Sequence, residues 1–348
     1  MQEFLSRSLN RENAVRGTIL FILCTFAGLF LSFLWSGGQD ITQVFREMRV
    51  ELLLGACLFM FVDWVFGALR FHIFIRKVTP TIRFRDSFRA NLATLCVSAI
   101  TPFQTGGVGH LYIYARAGVP LSGAITSGII CFLSTLITLI LSAGGIAWLD
   151  PPFLPKGTVW ISLFSFLMFG LVFGAFLLLL FKPEAIFRFF HWLCDVVQRR
   201  FARLTPILER ITSRVEQLIT EHKTFTTLFL REHKLTCALS VPLTCGFLGA
   251  RIVGSYIVVQ ALNGDATLWE LCVIGLVLNF VVLFAPSPGA SGVAEVVTAA
   301  LMERLISKEL IPLFVLLTRF FSIYCAVVVG GIIIGLQVAK DFRQQKKT

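Results

Sequence analysis

Long apolar runs separated by short basic segments dominate the sequence. Six of these runs are long enough to cross a membrane as helices, because the hydrocarbon core takes about 20 helical residues. They cover residues 17–35, 51–75, 121–148, 159–181, 235–262 and 311–337. Their apolar positions are continuous rather than alternating, which is typical of helices and not of barrel strands. We therefore predict an all-α polytopic membrane protein in which residues 1–348 form a single membrane domain.

Two further apolar segments, 87–117 and 268–305, are interrupted near their centres by proline and glycine. Proline lacks a backbone N–H and clashes with the preceding helical turn, whereas glycine lets another backbone approach closely. The residues at the interruptions are Thr101, Pro102, Gly106 and Gly107 in the first segment, and Pro286, Pro288, Gly289 and Gly292 in the second. Because the apolar arms are short, we expect two re-entrant helical hairpins. Two pairs of full spans are the alternative.

The distribution of basic residues favours the re-entrant interpretation. If the N-terminus is cytoplasmic and both interrupted segments are re-entrant, 23 of the 31 Lys and Arg residues lie on the cytoplasmic side. Five lie on the opposite side, and three lie within spans. Short cytoplasmic loops of membrane proteins carry such an excess of positive charge. We therefore expect both termini in the cytoplasm.

With this topology the chain contains an inverted repeat. The order span, hairpin, span over 51–148 (repeat 1) recurs upside down over 235–337 (repeat 2), and a polar connector of residues 182–234 precedes the second copy. Inverted repeats with interrupted helices are an architecture of transporters, whose substrate site lies near the bilayer midplane. We expect the interruptions to meet at a central cavity, since irregular backbone at that depth needs cover from protein or water. The connector is expected to form amphipathic helices on the cytoplasmic membrane face, with a plain link between repeats as the alternative.

Five ionisable residues lie within or beside the apolar segments: Asp63, Arg70, Arg251, Glu295 and Arg319. A charge at the bilayer centre costs at least about 2.5–3.5 kcal/mol on insertion scales, so these side chains should face the interior and have partners. In a functional interpretation the arginines attract a phosphate, while the carboxylates neutralise them or relay protons. In a structural interpretation, ion pairs such as Glu295 with Arg319 hold helices together. We include all five among the expected substrate-binding residues.

Helix starts after the interruptions add backbone donors to this candidate site. Such a start exposes free N–H groups and a positive dipole end, which suit an anionic headgroup. His110 follows the first glycine cluster and carries a side chain that can titrate near neutrality, although a packing role fits equally well. Arg116 lies at the end of the same segment, beside tyrosines that are typical of interfacial anchors. We expect both residues to belong to the substrate site.

Composition argues against several other classes of function. The chain has 348 residues, of which 56% are hydrophobic and 15% are charged, and its net charge is +11. In a membrane protein this excess indicates topology and contact with anionic lipid rather than nucleic acid. The nine Cys are scattered without a C-x-x-C pair, so neither a metal site nor a disulfide is expected. Motifs for nucleotide binding or hydrolysis are absent from the sequence, so we expect neither catalytic residues nor a cofactor. A homo-oligomer stays an open alternative.

Two motifs resemble the lysylphosphatidylglycerol synthase transmembrane family, which is flippase-like. The first motif is T-P-x-x-x-G-G at residues 101–107, followed by Arg116 and then by Gly118-Val119-Pro120. The second is P-x-P-G-x-x-G-x-x-E at residues 286–295, with Arg319 early in the last span. The resemblance extends from about residue 15 to about residue 340.

The resemblance implies movement of a lipid across a bacterial or archaeal cytoplasmic (inner) membrane. In the best-known members this membrane region flips aminoacylated phosphatidylglycerol, and a separate soluble domain makes that lipid. We expect a member without the aminoacyltransferase domain, because the chain ends soon after its last span. The expected partner is an anionic phospholipid or a polyprenyl-phosphate-type lipid. The alternatives are a non-transporting lipid-binding factor that assists a lipid- or glycan-modifying enzyme, and an enzyme that acts on a lipid-linked substrate.

Overall fold

A computed structural model describes residues 11–35, 41–101, 106–149, 152–153, 158–184, 188 and 205–345 of the chain. These parts are helical and contain no strand. In chain order the helices are α1 (Arg11–Trp35), α2 (Ile41–Glu47), α3 (Val50–Val78), α4 (Phe84–Ile100), α5 (Gly107–Arg116), α6 (Leu121–Leu149), α7 (Thr158–Phe181), α8 (Thr205–Thr227), α9 (Lys234–Ala261), α10 (Leu268–Phe284), α11 (Val293–Met302), α12 (Ile311–Arg319) and α13 (Cys325–Gln345). The predicted all-α class is confirmed.

Six helical stretches are long and apolar enough to cross a membrane, and they coincide with the six predicted spans. Five of them are the single helices α1, α3, α6, α7 and α9. The sixth covers Lys308–Asp341 and consists of α12 and α13, joined by a π-helical turn at Phe320–Tyr324. The chain is therefore a multi-pass membrane protein.

Both predicted interruptions end a helix. α4 ends at Ile100, Thr101 has an extended backbone, and α5 begins at Gly107, seven residues after the end of α4. α10 stops at Phe284, a short 3-10 turn occupies Pro288–Ala290, and α11 follows. The arms have 17 and 10 residues in each unit. At 1.5 Å per residue they reach about 25 Å and about 15 Å, which is less than the roughly 30 Å of the hydrocarbon core.

Helices α3 and α9 pack closely along their length because glycines line their contact. A Cβ atom at Gly246 would lie 2.6 Å from the Phe66 ring, and one at Gly254 would lie 3.6 Å from Phe59. Small residues let membrane helices approach in this way. The pair carries Asp63 and Arg70 on α3 and Arg251 on α9, so the close approach brings three of the five predicted ionisable residues together.

The two interrupted units are enclosed by the first and last spans. On α1, a Cβ atom at Gly28 would lie 2.9 Å from Gly292 Cα. On α13, a side chain at Gly330 would overlap the Leu92 carbonyl of α4. Thus α1 covers the second interruption at Gly292, and α13 covers the α4 arm of the first unit.

The described end of the connector packs on a membrane helix. Ser122 Oγ of α6 donates to Glu221 Oε2 of α8 at 2.6 Å, and one turn further Thr126 Oγ1 lies 2.7 Å from His222 Nδ1. Phe229, in the π-helical turn after α8, is fully buried among residues of α3, α6 and α7. Helix α8 is therefore held by buried polar contacts as well as by apolar packing.

Candidate functional site

The second interruption packs against the end of α4, which leads into the first interruption. Gly289 adopts a left-handed conformation with φ of 58°, and a Cβ atom there would lie 3.1 Å from the Ala99 carbonyl oxygen in the last turn of α4. The same position lies 3.0 Å from the Phe21 ring of α1. Glycine is favoured here for both its positive φ and its lack of a side chain. The second interruption thus contacts the end of α4, and this contact is packed rather than open.

A buried ion pair closes the second interruption. Glu295 is fully buried, and its Oε1 accepts a hydrogen bond from Arg319 Nε at 2.8 Å. Its Oε2 accepts from the Gly292 backbone N–H at 2.7 Å. Arg319 Nη2 also donates to the Gly289 carbonyl at 3.0 Å and to Ser291 Oγ at 3.1 Å. We call these five residues the clamp, because they bind the start of α11 and the preceding turn to the end of α12.

The first span completes the clamp. Thr25 Oγ1 of α1 donates to Ser291 Oγ at 3.1 Å. Gly28 lies one turn further along, where a Cβ atom would be 3.0 Å from Glu295 Cβ. Sequence reasoning missed Thr25, Gly28 and Ser291. The spacing of Gly28 and Ser32 as a small-x-x-x-small pair was the available signal.

A second group of charged residues lies between α3 and α9. We call Asp63, Arg70, Phe247 and Arg251 the cation cluster. The guanidinium carbons of Arg70 and Arg251 lie 4.8 Å and 4.9 Å from the centre of the same Phe247 ring. Arg251 Nη2 reaches both oxygens of Asp63, each at 3.4 Å. Phe247 was not predicted, although it precedes Arg251 by four residues and so shares its helix face.

Several donors of the cation cluster make no hydrogen bond. Arg70 is 8% exposed, yet its Nε and Nη1 have no hydrogen-bond partner among the described residues. Arg251 Nε is likewise buried and unpartnered within the described ranges. Buried N–H groups are almost always paired in proteins, so an unpaired group calls for a physical explanation.

His110 connects the first interruption to the cation cluster. Its ring centre lies 4.4 Å from that of Phe71 on α3, and the Arg70 guanidinium carbon lies 5.4 Å from the same Phe71 ring. The Ala124 backbone approaches the imidazole. Neither ring nitrogen makes a hydrogen bond of ordinary geometry with the parts of the chain that the structure describes. His110 is therefore buried beside Arg70, with the Ala124 backbone as its polar contact among the described residues.

A small cavity lies between the cation cluster and the last span. Its volume is about 20 Å³, enough for one water molecule. Asp63 and Arg251 line one side, and Thr318 and Ser322 line the other. The last two residues lie on either side of Arg319 in the sequence, so this cavity separates the cation cluster from the helical segment that carries the clamp arginine.

The structure places Arg116 away from both groups. Its Nη2 lies 2.6 Å from Asp341 Oδ2 near the end of α13, and Tyr112 Oη donates to the same oxygen at 2.5 Å. This contact fastens α5 to the last span. Sequence reasoning did not identify Asp341 as the partner, because 225 residues separate the two charges along the chain.

The remaining predicted residues shape the backbone. Thr101 Oγ1 donates to the Val97 carbonyl at 2.7 Å and so caps its own helix end. Gly106 is buried where a side chain would overlap the Thr94 carbonyl, whereas Gly107 faces open space. Pro102 lies outside the described residues.

In the second interruption, backbone shape rather than side-chain chemistry explains the predicted residues. Pro286 follows the extended Ala285, and Pro288 opens the 3-10 turn. Gly292 has φ of 84° and supplies the N–H that Glu295 accepts. Within the described ranges, no three His, Cys, Asp or Glu side chains converge as metal ligands would.

Comparison with known proteins identifies one family. The family model for the lysylphosphatidylglycerol synthase TM region matches residues 17–330. The matched region contains both interruptions, the clamp and the cation cluster. A search of curated proteins gives no significant match. Since the family model covers most of the chain, this protein belongs to the lysylphosphatidylglycerol synthase TM region family.

Proposed function

We propose that this protein moves an anionic or phosphate-bearing lipid between the two leaflets of a cytoplasmic membrane. The observation that carries the proposal is the contact between the two interrupted helices, where Gly289 packs against Ala99. Two helix breaks that meet inside an apolar bundle are a hallmark of transporter sites at the membrane midplane.

Helix length supports a re-entrant arrangement of both units. The 10-residue arms α5 and α11 are too short to cross the hydrocarbon core, so each unit would enter and leave on one side. The basic residues would then place the first hairpin on the cytoplasmic face and the second on the outer face. This arrangement makes residues 51–148 and 235–337 inverted copies around the contact between the two breaks.

The balance of buried charge favours an anion as cargo. Arg70, Arg251 and Arg319 lie in membrane-spanning helices, and two carboxylates, Asp63 and Glu295, accompany them. Ionisable groups at this depth commonly mark a substrate pathway. Membership of a family named for the membrane region of a lipid synthase supports a lipid as the carrier of that negative charge.

A liposome assay tests the proposal. The protein is reconstituted with phosphatidylglycerol that carries a fluorescent headgroup or acyl label, and dithionite quenches the label in the outer leaflet. We expect the quenchable fraction to rise from about half towards completion, in proportion to the protein content. Empty liposomes and liposomes with an unrelated membrane protein serve as controls. No acceleration with phosphatidylglycerol, cardiolipin or a polyprenyl phosphate would overturn the proposal, and lipid binding without movement would favour the non-transporting lipid-binding factor.

Cysteine labelling tests the proposed topology. In a background with the native cysteines replaced by serine, Asn263→Cys lies after α9 and should react with an impermeant maleimide from outside. Gln217→Cys on the exposed side of α8 is the matched control and should react only after the cells are opened. Reaction of Asn263→Cys only in opened cells would exclude the inverted arrangement.

A further inference from the structure

We propose that the cation cluster is a binding site for one singly charged phosphodiester group, held by Arg70, Arg251 and His110 around Phe247. The inference deepens the proposed lipid transport, because it assigns the subsite and the charge of the cargo. Its first support is the shared aromatic ring. Two guanidinium groups within 5 Å of one ring centre repel each other, and the ring offsets only part of that repulsion.

Unmatched hydrogen-bond donors are the second support. Arg70 Nε, Arg70 Nη1 and Arg251 Nε are buried and unpartnered within the described residues. A guanidinium has five N–H donors and no acceptor, so only an acceptor-rich group satisfies it. Phosphate oxygens are such acceptors, and arginine is the preferred residue for them. His110 packs on the same Phe71 ring as Arg70 and adds a further polar side chain beside it.

The net charge of the cluster selects the charge of the ligand. With both arginines protonated, Asp63 ionised and His110 neutral, these four side chains together carry a net charge of +1. One phosphodiester, with a single negative charge, neutralises this sum. A phosphomonoester dianion or a pyrophosphate would leave an excess of negative charge in an apolar interior, which is unfavourable. The cluster therefore fits a phosphatidylglycerol-type headgroup better than a polyprenyl phosphate.

The exposed fractions of the two arginine side chains indicate which of them a headgroup would contact first. The Arg251 side chain is 31% exposed, whereas Asp63 and Arg70 are almost completely buried. A headgroup would thus meet Arg251 first and Arg70 deeper in the bundle. The loose 3.4 Å contacts between Arg251 and Asp63 leave that guanidinium free to exchange a carboxylate for a phosphate.

Binding to the purified protein in neutral detergent tests the site directly. The probe is dihexanoyl phosphatidylglycerol, followed by intrinsic fluorescence or calorimetry at pH 8. We expect Arg70→Gln and Arg251→Gln to weaken binding at least ten-fold. Arg76→Gln is the matched control, because it removes an exposed arginine from the same helix α3, and its affinity should equal that of the wild type. Wild-type affinity in both site variants would overturn the inference.

Two further variants separate binding from folding. Phe247→Leu keeps every charge but removes the shared ring, and it should also weaken binding. Asp63→Asn raises the net charge of the cluster to +2, so the preference should shift from dihexanoyl phosphatidylglycerol towards dodecyl phosphate, which is a dianion at pH 8. A merely structural Asp63 would lower affinity for both probes alike. An unchanged preference in a well-folded Asp63→Asn protein would contradict the charge assignment.

Two comparisons separate the source of the phosphodiester from the test of the proposed lipid transport. Glycerophosphoglycerol, the headgroup without acyl chains, distinguishes a soluble ligand from a lipid. Equal binding of the two probes identifies a soluble phosphodiester, whereas binding of the lipid alone identifies the membrane as the source. If wild-type liposomes move no lipid but Arg70→Gln abolishes binding, the site stands without transport. If lipid moves and the site variants match the wild type in rate and affinity, transport stands without this site.

Discussion

The clamp and the cation cluster use the same residue types in opposite ways. In the clamp, Glu295 and Arg319 meet at 2.8 Å, and backbone and hydroxyl groups satisfy further bonds of both side chains. In the cation cluster, Arg251 and Asp63 are 3.4 Å apart, and Arg70 has two unpartnered nitrogens among the described residues. In this protein, the buried charges with complete hydrogen bonds hold helices together. The buried charges with incomplete hydrogen bonds form a candidate ligand site.

This difference predicts different responses of stability and activity. Breaking a completed buried pair leaves one charge without compensation, which destabilises strongly. Removing a charge that has no complete set of partners relieves a cost and should affect ligand binding instead. The following experiments test the contrast, in order of the expected change in stability.

Removal of the clamp carboxylate should have the largest effect. Glu295→Gln leaves Arg319 buried without a counter-charge, so we expect a loss of about 3–5 kcal/mol in the free energy of unfolding. Thermal unfolding in detergent, followed by tryptophan fluorescence, measures the change. Glu216→Gln, on the exposed side of α8, is the control and should shift the midpoint little. A midpoint equal to the wild type in Glu295→Gln would show that the clamp contributes nothing to stability.

A larger side chain between α1 and the clamp should lower the free energy of unfolding by an intermediate amount. Gly28→Val places a branched side chain against Gly292 and Glu295, and such overpacking typically costs about 1–3 kcal/mol. Gly174→Val on α7 is the matched control, because a Cβ atom there meets nothing within 4 Å. The same unfolding assay compares the two. Equal midpoints for both variants would show that α1 does not pack on the clamp.

Acid should weaken the contact between α8 and α6 by a smaller amount. Burial holds the pKa of His222 below its ordinary value of about 6.5. The unfolded chain then binds more protons below that pH, so stability is fully present above about 6.5 and is lost as the pH falls. Since a single side chain carries this effect, we expect it to be smaller than the change in Gly28→Val. His222→Gln should remove this slope from unfolding midpoints between pH 5 and 8, and an identical slope in the variant would assign it to other groups.

Arg70→Gln should leave stability almost unchanged. Its guanidinium lacks a complete set of hydrogen bonds, so neutralising it should change the free energy of unfolding by less than about 1 kcal/mol in either direction. Lipid movement in the liposome assay should nevertheless fall at least ten-fold. A destabilisation as large as that of Glu295→Gln would show that the clamp and the cation cluster do not differ in their contribution to stability.

The sequence was sufficient to predict the spans and the positions of both helix breaks. Continuous apolar runs and prolines act locally, so neither prediction needed knowledge of the packing. The partners of the charges were harder to predict. The Glu295–Arg319 pair was one of two alternatives, and Arg116 was assigned to the substrate site although it binds Asp341.

Phe247 shows why the rest of the site was not predictable. It is one of 35 phenylalanines, and composition does not distinguish a ring that faces lipid from one that lies between two arginines. Its role depends on the crossing of α3 and α9, which is set by glycines such as Gly246. Hydropathy indicates which residues enter the membrane, whereas side-chain partners across 188 residues follow from the three-dimensional packing.

The π-helical turn at Phe320–Tyr324 gives the last span two orientations. It accommodates one extra residue, which corresponds to a rotation of about 100° between α12 and α13. As a result, Phe314 faces the core shared with α9 and α11, whereas Ala326 packs against Leu92 of α4. Deleting a single residue from this turn would leave the hydropathy of the span almost unaltered, but it would turn Arg319 away from the Glu295 carboxylate. The rotation between α12 and α13 therefore depends on the number of residues in the turn and not on any particular side chain.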